Sequence, residues 1–113
     1  MIIPENYDLV IYQGADYRIV MTVDLDLTGC LLRMQGRESM AATTTVFSLS
    51  TATTGIAITP GSTTTIDVTI PAATTATYAS NTEGVWDLEI VWGSGAVDRL
   101  VGGRFSVVPE VTR

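Results

Sequence analysis

Apolar and polar residues alternate with period two along most of this chain, the pattern of strands that bury one face and wet the other. No helical period is sustained. Residues 7–12 set Tyr7, Leu9 and Ile11 against Asp8, and Gln13-Gly14-Ala15 reads as a turn. Residues 16–23 then place Tyr17, Ile19, Met21 and Val23 inward and Arg18 and Thr22 outward, so a hairpin of these first two strands is expected. The turn-forming run 24–29 precedes a third strand, in which Cys30, Leu32 and Met34 alternate with Leu31, Arg33 and Gln35.

The stretch 37–45 is small and polar. Phe47 and Leu49 mark a short edge strand, and Ile56 and Ile58 another that Pro60-Gly61 stops in a hairpin turn. The cleanest alternation is 65–70, with Ile66, Val68 and Ile70 on one side and Thr65, Asp67 and Thr69 on the other. Pro71 at a first helical position, followed by small residues to 79, allows one or two helical turns crossing between sheets. Trp86, Leu88, Ile90 and Trp92 then share an inward face, opposite Asp87 and Glu89.

With Gly93-Ser94-Gly95 as a hairpin loop, Leu88 opposes Leu100 and Glu89 opposes Arg99, a matched pair. Ile90 then meets Asp98, a poor match that predicts a bulge near the loop or a different pairing there. Gly102-Gly103 fits a bulge or close packing, Phe105 and Val107 alternate with Arg104 and Ser106, and Pro109 ends the run. About seven or eight strands with short turns predict an all-β, antiparallel sandwich or barrel forming a single domain over 1–113.

Composition sharpens this picture mainly by what is missing. The chain has no His, and all 6 of its basic residues are Arg, so the usual neutral-pH base and the Schiff-base amine are both lacking. A net charge of -6 argues against nucleic-acid binding, which needs clustered cations. The single Cys30 cannot form an intramolecular disulfide and reads as a small buried hydrophobe. Neither a signal-peptide pattern at the start nor a run long enough to span a membrane is found, so a protein made in the cytoplasm and without a membrane partner is expected.

Candidate chemistry is sparse. Asp24 and Asp26 are weak calcium candidates, set against ordinary turn chemistry, because the spacing of a calcium loop is not continued. Asp87 and Glu89 share one side of a strand and could be paired carboxylates, but a flat solvated face offers no asymmetry between them. Trp86 and Trp92 could stack on a sugar if exposed, although their parity with Leu88 and Ile90 favours the core; Tyr12 and Tyr78 are undecided between the two. No serine elbow and no phosphate loop is found, so no cofactor, no resident metal and no catalytic set is expected.

Several phrases spread along the chain resemble small tail and baseplate proteins of tailed double-stranded DNA bacteriophages. They are Asp26-Leu27-Thr28-Gly29, Ile70-Pro71-Ala72-Ala73, Gly84-Val85-Trp86-Asp87-Leu88-Glu89-Ile90, Arg99-Leu100 with Gly103-Arg104-Phe105-Ser106-Val107, and the ending Glu110-Val111-Thr112-Arg113. The resemblance implies an immunoglobulin-like sandwich and a non-enzymatic role in the virion, as a homo-oligomer in contact with other virion proteins. A capsid decoration protein and a carbohydrate-binding or adhesin module are the alternative readings. Contacts are expected at edge strands and at the arms 1–6 and 109–113, with Met1, Ile2, Ile3, Pro4, Tyr12, Trp92, Pro109, Val111 and Arg113 as candidate interaction residues.

Overall fold

The computed structural model describes residues 5–112. Its strands are β1 (Glu5–Asn6), β2 (Leu9–Tyr12), β3 (Tyr17–Val23), β4 (Leu31–Arg37), β5 (Phe47–Ser50), β6 (Ile56–Thr59), β7 (Thr64–Ile70), β8 (Glu83–Val91) and β9 (Val97–Val108). One helical turn, α1 (Ala72–Thr75), joins β7 to β8. Strand accounts for 53% and helix for 4%, so the protein is an all-β sandwich of two sheets.

The large sheet runs β1-β9-β8-β4-β5, with β2 also beside β9, and the small sheet runs β3-β7-β6. In immunoglobulin lettering the small sheet has the order B-E-D, and β4, β8 and β9 stand as C, F and G. No disulfide joins the sheets, because the single cysteine, Cys30, is free.

Alternation does what periodicity predicts. Leu32, Met34, Ile66, Val68, Leu88 and Ile90 have no exposed surface, and Trp86, Phe105 and Val107 are buried with them between the sheets. Phe47 meets Phe105 edge to face, with ring centroids 5.2 Å apart. Removing this apolar surface from water is the main stabilising contribution.

Three expectations need correction. β2 does not form a hairpin with β3: it lies parallel to β9, pairing Leu9 with Phe105 and Tyr12 with Val108, whereas β3 pairs with β7 in the other sheet. Gln13-Gly14-Ala15 is therefore a crossing between sheets, held by Gln13 N–H on the Val108 carbonyl and Gly14 N–H on Thr75 Oγ1. Gly14 has φ 80, and a Cβ there would collide with the Glu110 carboxylate. Tyr7, expected inward, is exposed because β1 and β2 are separate strands with Tyr7 in the break between them.

The β8–β9 hairpin supplies the third correction. Glu89 opposes Arg99 and Ile90 opposes Asp98, but Leu88 meets Val101, since Leu100 is the extra residue of a bulge between the two registers. Leu100 and Val101 are both buried as a result. The Ile90–Asp98 mismatch is resolved in place: Trp92 Nε1 donates to Asp98 Oδ2 at 2.7 Å. Beyond the bulge β9 runs unbroken through Gly102-Gly103 to Val108, one strand where the alternation suggested two runs.

Candidate functional site

The outer face of the large sheet is built by the outward residues of three neighbouring strands. Arg33, Gln35 and Arg37 come from β4, Val85, Asp87 and Glu89 from β8, and Arg99 and Arg104 from β9. Alternation places each of them on a wet face, but only the strand order β4-β8-β9 makes them one cluster. Arg33 lies opposite Glu89 and Gln35 opposite Asp87 across the β4–β8 ladder.

This face is not flat, contrary to the sequence expectation. A groove of about 330 Å³ is lined by Gln35, Arg37, Met40, Val85, Trp86, Asp87, Glu89, Arg99 and Gly103. Its shape has an identifiable cause. Asp87 lies opposite Gly102, which has no side chain, and the Arg99 guanidinium occupies the space where a Cβ of Gly102 would stand.

Most polar groups here are held in place. Arg33 Nε donates to Glu89 Oε1 at 2.9 Å. Arg37 donates from Nη1 to the Ala42 carbonyl at 2.9 Å and from Nη2 to Gln35 Oε1 at 3.1 Å, which ties the β4–β5 loop carrying Met40 to the groove rim. Arg99 is in neither of the two ion pairs among the described residues, Arg18–Asp67 and Arg33–Glu89.

Asp87 is the unusual group. Its carboxyl is raised above the ordinary Asp value by partial burial first and by neighbouring Glu89 second, against the opposing pull of Arg99, Arg33 and Arg37. Asp87 and Glu89 therefore do differ in environment, a difference that spacing along one strand could not reveal. Glu89 is hydrogen-bonded to Arg33, whereas no hydrogen bond among the described residues offsets the desolvation of Asp87.

The other candidates fall elsewhere. Asp26 Oδ1 accepts from Thr28 N–H at 3.0 Å and Thr28 Oγ1 at 2.6 Å, and these bonds lower its carboxyl pKa. That is turn chemistry. Among the described residues no group of three or more His, Cys, Asp or Glu side chains is placed to hold a metal ion, so Asp24 and Asp26 gain no further ligand of that kind. Cys30 is partly buried at the core edge, and its thiol is pushed up by that burial and then by the Asp26 charge.

Trp86 and Trp92 do not form a platform. Trp86 is 3% exposed with Nε1 donating to the Tyr7 carbonyl at 2.9 Å, and Trp92 is partly buried against the core. Tyr78 is half-buried, with its phenol pushed up by burial, while Tyr12 is exposed on β2 beside Val10. Pro109 is no free arm, because the next residue, Glu110, donates its N–H to Gln13 Oε1 at 3.2 Å; Val111 is exposed. Glu5 and Asn6, read as part of an arm, form β1 against β9. Met1, Ile2, Ile3, Pro4 and Arg113 lie outside the described residues.

The described helix is one turn long, and among the described residues no helix is long and apolar enough to cross a membrane. No model of a known protein family matches the chain, and no curated protein matches it either.

Proposed function

We propose that this chain is a non-enzymatic structural protein of the tail, baseplate or fibre-attachment apparatus of a tailed bacteriophage, working through protein–protein contacts in a symmetric assembly. The observation that carries the reading is an edge strand, β2, that leaves apolar side chains outside. Val10 and Tyr12 project outward from β2, and Tyr7, just before that strand, is exposed as well. Exposed apolar residues grouped on an edge strand suit contacts with a neighbouring subunit. The resemblance of the phrases around Trp86, Arg99 and Phe105 to tail and baseplate proteins supplies the virion context.

Localising the chain in purified particles by tagged-subunit electron microscopy tests this directly. Density at the tail or baseplate is expected, density on the shell selects a decoration protein, and absence from particles overturns the reading. Replacing Val10 and Tyr12 together by Ser is expected to reduce particle assembly while the isolated domain keeps its β circular dichroism.

A further inference from the structure

The groove on the large sheet is lined by neither Val10 nor Tyr12 and has its own chemistry. Its charged lining is two carboxylates, Asp87 and Glu89, and two guanidiniums, Arg37 and Arg99, formally balanced. An anion entering it meets both acids, and a cation meets both arginines; either loses much of the attraction it gains. A neutral ligand whose groups both donate and accept meets no such conflict.

The free hydrogen-bonding capacity points the same way. Asp87 offers acceptors that no side chain here satisfies, Glu89 has its second oxygen, and Arg99 has donors outside any ion pair among the described residues. Met40 and Val85 supply apolar surface beside them. Vicinal hydroxyls on a C–H-rich ring match that alternation of acceptors, donors and apolar surface. The volume lies at the lower end of the roughly 300–1,000 Å³ found for small-molecule sites.

We propose that this groove binds a neutral saccharide unit through Asp87, Glu89, Arg37 and Arg99. The site is largely ordered in advance: Arg33 fixes Glu89, Gln35 and the Ala42 carbonyl fix Arg37, and Gly102 seats Arg99. Fixing these side chains before binding lowers the ordering cost of the complex. Trp92 is no part of it, which separates this site from an aromatic sugar platform.

The test is a glycan array of neutral hexose, deoxyhexose and N-acetylhexosamine oligomers probed with the whole chain, followed by ¹⁵N NMR titration with any oligomer retained. Binding is expected with amide shifts at Gln35, Val85 and Gly103. Asp87→Asn and Arg99→Ala should each weaken it about tenfold or more, as for loss of a hydrogen bond to a charged group. Gly102→Ala should weaken it as well by displacing Arg99 while every binding group remains, and unchanged circular dichroism confirms that each variant folds. The proposal is overturned if no saccharide binds, if the variants bind as well as the parent chain, or if inorganic phosphate or spermidine occupies the groove more tightly than any saccharide. None of these outcomes depends on where the chain sits in a particle, so they are distinct from failure of the assembly reading.

Discussion

Asp67 and Asp87 stand at corresponding places, each outward on the central strand of its sheet, and the structure treats them oppositely. Asp67 accepts Arg18 Nη2 at 2.6 Å, Arg18 Nε at 3.3 Å and Thr69 Oγ1 at 3.1 Å, so its carboxyl is held below the ordinary value. Asp87 lies in a groove, partly desolvated beside Glu89, and its carboxyl is held above it. The small sheet settles its charges in a one-to-one pair across neighbouring strands. The large sheet gathers three arginines around two acids and leaves one acid without an offsetting bond. A shared wet-face position thus says little about chemistry until the neighbouring strands are known.

The largest expected effect comes from removing a large ring of the core beneath the large sheet. Trp86→Ala should destabilise the fold by about 3–5 kcal/mol in urea denaturation, since it deletes a buried ring and its bond to the Tyr7 carbonyl. Ile66→Ala, under the small sheet, should cost about 2–5 kcal/mol by the same measure while leaving the Asp87 titration unchanged. A Trp86→Ala protein of parental stability would contradict the packing described.

Next come the two fully buried threonines that hold crossings between the sheets. Thr64 Oγ1 donates to the Leu25 carbonyl at 2.8 Å and accepts Leu27 N–H, and Thr75 Oγ1 donates to the Ala15 carbonyl at 2.7 Å and accepts Gly14 N–H. Thr64→Val and Thr75→Val keep the shape and strand buried backbone groups, so each is expected to cost about 1–3 kcal/mol in thermal or chemical unfolding.

A smaller effect discriminates the two aspartates most sharply. In thermal melts at pH 7, Asp67→Asn should lower the midpoint, and Asp87→Asn should leave it unchanged or raise it. The linkage runs in opposite directions. The Asp67 contribution is present at neutral pH and is lost as pH falls through its depressed folded value. The Asp87 penalty is present at neutral pH and is relieved as pH falls through its raised folded value. Carboxyl ¹³C NMR should find Asp67 titrating below and Asp87 above the ordinary Asp range, and equal midpoints would refute the comparison.

At alkaline pH, Tyr17 is expected to titrate late, since burial, with a smaller contribution from Tyr7, pushes its phenol up to about 12. The folded state then keeps this proton after the unfolded chain has lost it, so stability should decline as pH rises from about 10 toward 12. Ultraviolet titration of Tyr17→Phe against the parent chain checks the assignment.

Parity and turn chemistry were readable without coordinates. Ile66, Val68 and Ile70, like Leu88 and Ile90, faced inward as the two-residue period requires, because side chains of a strand alternate across the sheet whatever its neighbours are. The Glu89–Arg99 match was readable too, since a short loop fixes local register. A bulge near the loop was readable from the Ile90–Asp98 mismatch, but its place at Leu100 was not, as one skipped residue replaces a Leu–Leu pair by an equally apolar Leu–Val pair. The two buried threonines were also missed: a hydroxyl that satisfies a buried crossing looks, in sequence, like any other threonine on a wet face.

The amino-acid order by itself determined an all-β fold, the apolar side of most strands, and that the Trp86 face would be buried; the division into two sheets needed the tertiary structure. Tertiary structure alone decided that β2 leaves β3 to lie parallel to β9, and that β4, β8 and β9 bring Arg37, Asp87 and Arg99 around one groove. Alternation is a local property of backbone geometry, whereas adjacency of strands distant in the chain depends on how two sheets jointly bury their apolar faces.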